Sequence, residues 1–240
     1  MNIVTIIIFS LSIISLIIAI ALDFTKIGKY ATNFRCAHYS LVFLTALFGL
    51  IHSISGVKVR VIIFSIITLA ALLIYEGINI FNLYSSRFTR FKNKIELYSN
   101  LSLYLILFIV MTVYYGFNFV ELIIQSVLAC LFYLTIYIIK RNETVKSIRM
   151  FFLLDILISL STGLALTGLI LSNRGSDVKM VFLFLTIGMI LMYLSSAIRD
   201  ANNIFEYVPN KKYFEIDKST YFIFNLGISF IAFSILFIYY

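Results

Sequence analysis

Two acidic side chains stand inside runs of apolar residues that are long enough to cross a lipid bilayer. Asp155 lies in the run Met150–Ser172, and Ser159 follows it one helical turn later. Glu76 lies in an earlier apolar run, with Asn79 one turn further on. Charged side chains are costly in lipid, so they usually face the interior of a helix bundle and mark functional sites. The spacing predicts two helices whose polar faces point toward other helices.

The composition indicates that these acids belong to a membrane protein. Of the 240 residues, 62% are hydrophobic and only 12% are charged, which is about half the charged share of a typical soluble domain. The net charge of +8 would suggest nucleic acid as the partner of a soluble protein. Here the basic residues sit between apolar runs, where membrane orientation explains them. We therefore expect no nucleic-acid partner.

At about 20 apolar residues per span, the sequence predicts an all-α fold, a polytopic helical membrane bundle of about eight transmembrane helices. The whole chain, residues 1–240, is expected to form a single transmembrane domain, because no tandem repeat or low-complexity linker divides it. The predicted spans are 3–22, 39–56, 61–81, 97–115, 119–139, 150–172, 180–198 and 219–240.

The basic residues orient this bundle. Of the 19 Lys and Arg residues, 15 lie in the first, third, fifth and seventh connections and 4 in the others. Positive charge favours the cytoplasmic side, so the N-terminus and the C-terminus are both expected outside, in a bacterial cytoplasmic (inner) membrane. The loop 87–94 alternates cations with aromatic rings and is expected to bind anionic lipid head groups.

This orientation places Glu76 and Asp155 at one depth, about five residues or roughly 7–8 Å inside the cytoplasmic boundary. Two acids at one depth would hold a proton, a cation or a substrate amine between them. The alternative is that each carboxylate pairs with a cation at that boundary. The available cations include Arg149, Lys146 and Arg199.

A second polar level is predicted near the outer surface. His52 lies near the end of the second span, and Glu121 and Gln125 share a face at the start of the fifth. A His–Glu pair would relay protons or sense external pH. The alternative is an interfacial histidine and a glutamate that favours the start of a helix. At the cytoplasmic end of the seventh span, the adjacent Arg199 and Asp200 diverge on a helix and need separate partners.

The chain carries no motif for a nucleotide, a metal or a haem. It has no Walker loop, HExxH, GxSxG, zinc-ligand cluster or GxGxxG, and Cys36 and Cys130 match no metal or redox spacing. We therefore expect no cofactor and no metal site. The expected partners are the lipid bilayer and either another membrane protein or a second copy of the chain.

Three stretches combine an apolar helix with a neighbouring basic loop. They are DFTKIGKYATNFR (23–35), LLIYEGINIFNLY (72–84) and FYLTIYIIKRNETVKSIR (132–149). With their surroundings, residues 1–200, they resemble the seven-helix membrane sensory region of bacterial sensor kinases and LuxR-type regulators. In that family an output domain follows the helices, whereas an eighth span follows here. The resemblance therefore implies sensing without kinase activity or DNA binding.

A late pattern runs from Gly188 through Ser195 and Ser196 to Asn202. It is similar to the Gly…Ser-Asp…Asn pattern of the lysoplasmalogenase family of eight-helix membrane enzymes, which implies a lipid-modifying hydrolase. Ser196 stands where that family has an acid, and the early helices hold no Gly-Asp pair. Both departures argue against hydrolase activity.

Three functions from different classes follow, and we favour the first. It is a non-enzymatic sensor or interaction protein whose bundle responds to a ligand, a lipid or a partner. The alternative is a hydrolase of lysoplasmalogenase type, which requires Glu76, Asp155 and Asp200 to converge on a pocket open to lipid. A further alternative is a small transporter, which usually has broken helices or repeats at a midplane site. The absence of proline from every predicted span argues against it.

Overall fold

The computed structural model describes residues 3–25, 30–53, 59–84, 179–205 and 210–239, together with the single residues 123, 127 and 131. These residues form five α-helices and contain no strand, so the predicted all-α class is confirmed for this part of the chain. The helices are α1 (Ile3–Asp23), α2 (Ala31–Ser53), α3 (Val59–Tyr84), α4 (Lys179–Phe205) and α5 (Asn210–Ser234), and α5 continues as a short 3₁₀ helix, Ile235–Tyr239.

Within the described ranges, three helical segments are long and apolar enough to cross a membrane: Ile3–Asp23, Ala31–His52 and Lys218–Phe237. Helices α3 and α4 contain shorter apolar segments, Ile66–Phe81 and Leu183–Ser195. These five segments overlap the first, second, third, seventh and eighth predicted spans. The other three predicted spans lie outside the described residues apart from positions 123, 127 and 131. The count of eight spans and the outward placement of both termini therefore stay predictions.

Helix α2 begins at Ala31, well before the start of the second predicted span. Its first turns contain Arg35 and His38, polar side chains that lower the apparent hydropathy of this region. Both side chains bond to α1, because Arg35 forms an ion pair with Asp23 and His38 Nδ1 lies 2.9 Å from the backbone oxygen of Ser12. Polar residues that bond to a neighbouring helix do not need water, so the helix extends through them.

The described helices form three antiparallel pairs along the chain: α1 with α2, α2 with α3, and α4 with α5. The connections 54–58 and 206–209 are too short to return along a 26-residue helix, which is about 39 Å long, so α2 and α3 are antiparallel, as are α4 and α5. Asp23 at the end of α1 contacts Arg35 near the start of α2 and Lys218 on α5. Ser195 of α4 contacts Thr220 of α5. We call the side marked by these five residues the polar end.

At the opposite side, four phenylalanines join α1, α4 and α5, and we call this side the apolar end. The rings of Phe9 and Phe233 stack with centroids 4.1 Å apart. Phe184 contacts Phe233 edge-on at 5.0 Å and stacks on Phe237 at 4.9 Å. Such pairs each contribute about 0.5–1.5 kcal/mol beyond the burial of their surface, so the apolar end is fixed by specific ring packing.

Helices α4 and α5 also make a very close contact at two glycines. A Cβ atom added at Gly188 would lie 2.6 Å from the backbone oxygen of Gly227, and one added at Gly227 would lie 2.7 Å from that of Gly188. Small residues permit such an approach between helices in lipid. Gly49 of α2 lies similarly near the 3₁₀ helix, with its hypothetical Cβ 3.1 Å from the Leu236 nitrogen.

Candidate binding site

Glu76 is a buried carboxyl group on α3, with only 2% of its surface exposed. Thr68 and Leu72 lie on the same face of the helix and are also buried, whereas Leu73 and Ile74 are exposed. The predicted polar stripe of this helix therefore faces the interior. Neither carboxyl oxygen has a hydrogen-bond partner among the residues that the structure describes.

A pair of tyrosines lies next to this carboxyl group. The hydroxyl oxygens of Tyr39 on α2 and Tyr221 on α5 are 2.6 Å apart, so one hydroxyl donates to the other. Glu76 is close enough to both phenol groups for electrostatic interaction. The ring of Tyr75 lies 6.3 Å from that of Phe224, measured between centroids. Helices α2, α3 and α5 therefore meet at this point.

The neighbouring cations are engaged by Asp23 rather than by the buried carboxyl group. Arg35 forms an ion pair with Asp23, and its guanidinium carbon lies 4.7 Å from the ring centroid of Tyr221. Lys218 Nζ donates a hydrogen bond to the backbone oxygen of Asp23 and lies 4.3 Å from the ring centroid of Phe24. These contacts connect α1, α2 and α5. They leave the acid of α3 without a counter-ion in the described part of the chain.

Two asparagines extend this polar interior. Asn79 follows Glu76 by about one turn, and its Nδ2 has no described hydrogen-bond partner. Asn225 lies one turn after Tyr221 on the same face of α5, and its Nδ2 donates to the Tyr221 backbone oxygen at 2.8 Å. The Oδ1 atom of Asn225 has no partner within the described ranges. We call Tyr39, Glu76, Asn79, Tyr221 and Asn225 the interior site.

The structure places some of the predicted site residues and not others. Glu76 and Asn79 belong to the interior site, whereas His52 lies in the last turn of α2, at the far end of that helix from Tyr39. The convergence of Glu76 with Asp155 and the pairing of His52 with Glu121 stay predictions. The remaining predicted residues have side chains outside the described part of the chain: Asp155, Ser159, Glu121, Gln125, Arg199 and Asp200.

Sequence reasoning missed four residues at or beside the interior site: Arg35, Tyr39, Tyr221 and Asn225. A signal was present, because Arg35 and Tyr39 are four residues apart, as are Tyr221 and Asn225. This spacing places each pair on one helical face. The second predicted span begins only at Tyr39, so Arg35 falls in a predicted connection, and no periodic pattern relates tyrosines of two different helices.

Comparison with known proteins gives no function for the interior site. The chain matches no protein-family model, no curated protein and no solved structure. Two residues of the lysoplasmalogenase-like pattern have packing roles here: Gly188 contacts α5 closely, and Ser195 Oγ donates to the Thr220 backbone oxygen at 2.7 Å. These contacts explain both residues without catalysis. The two family resemblances stay predictions.

The interior site presents several oxygen atoms, together with the unpartnered amide nitrogen of Asn79, in an apolar bundle. Carboxyl, amide and phenol oxygens accept hydrogen bonds and bind hard cations. Among the described residues there is no group of three or more His, Cys, Asp or Glu side chains that could hold a metal ion. The described arrangement is therefore suited to binding a species that donates protons or carries positive charge.

Proposed function

We propose that this chain is a multi-pass integral membrane protein that acts as a non-enzymatic sensor or interaction protein. The interior site is the part of the bundle that responds. The observation that carries the proposal is the burial of Glu76 without a hydrogen bond or a counter-ion among the described residues. Such burial is destabilising, and acids inside membrane helices mark functional sites.

The outward faces of the helices support a lipid environment. On α1 the side chains of Ile3, Ile7, Leu11, Ile14 and Ile17 recur every three or four residues, and all of them are exposed. A continuous apolar face of this kind is a liability in water, whereas lipid covers it without cost. The bilayer is therefore the first partner that we propose.

The directions of the helices support the proposed topology. Helices α3 and α4 both end at the polar side of the bundle, so α4 begins at the apolar side. Three spans between residues 85 and 178, as the sequence predicts, agree with this change of side. The basic connections then lie at the polar end, which we propose faces the cytoplasm of a bacterial cell.

The two ends of the bundle differ in a way that supports a conformational response. Stacked phenylalanines and close glycine contacts fix the apolar end and the middle of the bundle. The polar end is held by the hydroxyl pair and by the contacts of Asp23, which contribute about 1–3 kcal/mol each. Water or the polar groups of a ligand can replace such contacts. A ligand that favours one arrangement shifts the population toward it. We propose that the start of α5 moves relative to α2 and α3.

The other two functions find no specific support. A hydrolase of lysoplasmalogenase type requires Glu76, Asp155 and Asp200 around a pocket open to lipid, and of these the structure describes the carboxyl group of Glu76 alone. A transporter would be supported by interrupted helices at a midplane site, whereas α1, α2 and α3 are continuous over their described lengths. We therefore propose neither of them.

The experiment measures the distance between two spin labels at the polar end. Cys36 and Cys130 are replaced by serine, and cysteines for labelling are introduced by Gly77→Cys and Ser219→Cys. Both positions are exposed, and a Cβ at Gly77 meets no atom within 4 Å. Pulsed electron paramagnetic resonance in lipid nanodiscs gives the distance distribution. We expect the distance distribution to change in Glu76→Gln, because this variant removes the carboxylate of the interior site.

A matched control is Thr45→Val on α2. Thr45 is also buried, but its hydroxyl donates within its own helix, to the Leu41 backbone oxygen at 2.8 Å. We expect the wild-type distance in this variant. A second label pair, Ile7→Cys with Ile51→Cys, reports on the apolar end and should not respond to Glu76→Gln. An unchanged distribution at the polar end in Glu76→Gln contradicts the proposed response.

A further inference from the structure

Three oxygen atoms of the interior site lack a described hydrogen-bond donor: Oε1 and Oε2 of Glu76 and Oδ1 of Asn225. The orientation of the Asn225 amide follows from its other end, because Nδ2 donates to the Tyr221 backbone oxygen. Both side chains are 2% exposed. Buried acceptors are costly unless a donor or a cation reaches them.

Glu76 and Asn225 each follow one partner of a ring contact between α3 and α5. Tyr75 directly precedes Glu76, Phe224 directly precedes Asn225, and the two aromatic rings are 6.3 Å apart. Glu76 also interacts electrostatically with Tyr221, one turn before Asn225. The unpartnered oxygens therefore belong to one region of the bundle rather than to separate surfaces.

A cation would supply these oxygens with the partner that they lack. Among the described residues, the cations Arg35 and Lys218 are both bound to Asp23. A proton on Glu76 would remove its charge, but it supplies a single donor and leaves at least one of the three oxygens without a partner. A cation contacts several oxygens at once.

We propose that Glu76 and Asn225 bind a small monovalent cation between α3 and α5. This inference rests on the proposed function, because it names the class of ligand to which the interior site responds. One carboxylate balances one positive charge, whereas a divalent ion would leave an excess charge buried in the bundle. Carboxylate and amide oxygens are hard ligands, and the paired hydroxyls of Tyr39 and Tyr221 provide further oxygens beside them.

The test compares the melting temperature of the full chain in nanodiscs in NaCl, KCl, NH₄Cl and choline chloride, at one pH and one ionic strength. A ligand that binds only the folded state stabilises it in a saturable way. We expect at least one small cation to raise the melting temperature relative to choline. Glu76→Gln should abolish this shift, Asn225→Leu should raise the half-saturating concentration at least tenfold, and Thr45→Val should retain the wild-type shift.

Equal melting temperatures in all four salts overturn the proposal, as does a shift that survives in Glu76→Gln. A response to pH alone, equal in every salt, identifies a proton as the occupant and also overturns it. If Glu76→Gln does not fold, Glu76→Asp keeps the charge on a shorter side chain and should bind more weakly. Equilibrium dialysis of the wild type against radioactive Na⁺, Rb⁺ and methylammonium gives a direct measurement, and the absence of binding by all three overturns the site.

The two experiments can contradict the cation site and the sensor function independently of each other. A cation effect that depends on Glu76, without any change in the label distances of Glu76→Gln, supports the site and contradicts the sensor. A change in label distance without any cation effect supports the sensor and contradicts the site.

Discussion

Replacing Gly188 by alanine tests the close contact between α4 and α5. The added Cβ would lie 2.6 Å from the Gly227 backbone oxygen, 2.7 Å from Ile231 Cγ1 and 3.1 Å from the Ile231 backbone nitrogen. Two of these three atoms belong to the backbone of α5, so a change of rotamer does not relieve the clash. The helices must separate by at least 0.4 Å to bring the shortest of these distances to 3.0 Å.

The expected cost follows from two opposing effects. Overpacking an interior position costs about 1–3 kcal/mol, and alanine regains up to about 1 kcal/mol over glycine through its better helix propensity. We therefore expect Gly188→Ala to lower the free energy of unfolding by about 1–2 kcal/mol. Gly227→Ala should behave alike, because its Cβ would lie 2.7 Å from the Gly188 oxygen. The double variant should cost less than the sum, since the first alanine already separates the helices.

The free energy of unfolding is measured by titration with SDS in mixed micelles, followed by circular dichroism. Gly77→Ala is the matched control, because Gly77 is an exposed helical glycine whose added Cβ meets no atom within 4 Å. We expect this variant to be as stable as the wild type or up to about 1 kcal/mol more stable. If Gly188→Ala shows the same stability as Gly77→Ala, the close contact of the two helices is wrong.

Three further perturbations test the two ends of the bundle by the same titration. Tyr39→Phe, Tyr221→Phe and the double variant should show a coupling of about 0.5–1.5 kcal/mol from the hydroxyl–hydroxyl bond, and strictly additive effects would count against that bond. Asp23→Asn weakens the ion pair of Arg35 and should cost about 1–3 kcal/mol, whereas wild-type stability would show that the pair contributes nothing. Phe233→Ala removes the ring shared by the stacked pairs and should cost about 3–5 kcal/mol, so a loss below about 1 kcal/mol would contradict the packing of the apolar end.

Two helices were predictable from the sequence nearly to their ends, because their residues are mostly apolar. Helices α1 (Ile3–Asp23) and α3 (Val59–Tyr84) lie within a few residues of the spans 3–22 and 61–81. Helix α2 begins earlier than predicted because Arg35 is paired with α1. Hydropathy averages over all faces of a helix, so it does not distinguish a polar side chain in water from one bonded to a neighbouring helix.

The residues of the interior site were predictable only where their spacing within a single helix indicates an inward polar face. The spacing of Glu76 and Asn79 within an apolar run indicated an inward polar face, and the structure places Glu76 there. The hydroxyl pair gave no comparable signal, because Tyr39 and Tyr221 are 182 residues apart and resemble the many other tyrosines of the chain. Such contacts depend on which helices become neighbours, and helical periodicity carries no information about that.

The contacts of Asp23 become possible at very different times during synthesis. Arg35 follows Asp23 by 12 residues, so this ion pair forms as soon as α1 and α2 have left the ribosome. Lys218 follows by 195 residues, which takes about 10–40 s at roughly 5–20 residues per second. The nascent α1–α2 hairpin therefore enters the bilayer with its carboxylate already neutralised. The backbone oxygen of Asp23 gains its hydrogen bond from Lys218 only after α5 has inserted beside the hairpin. Of the described helices, α5 is synthesised last.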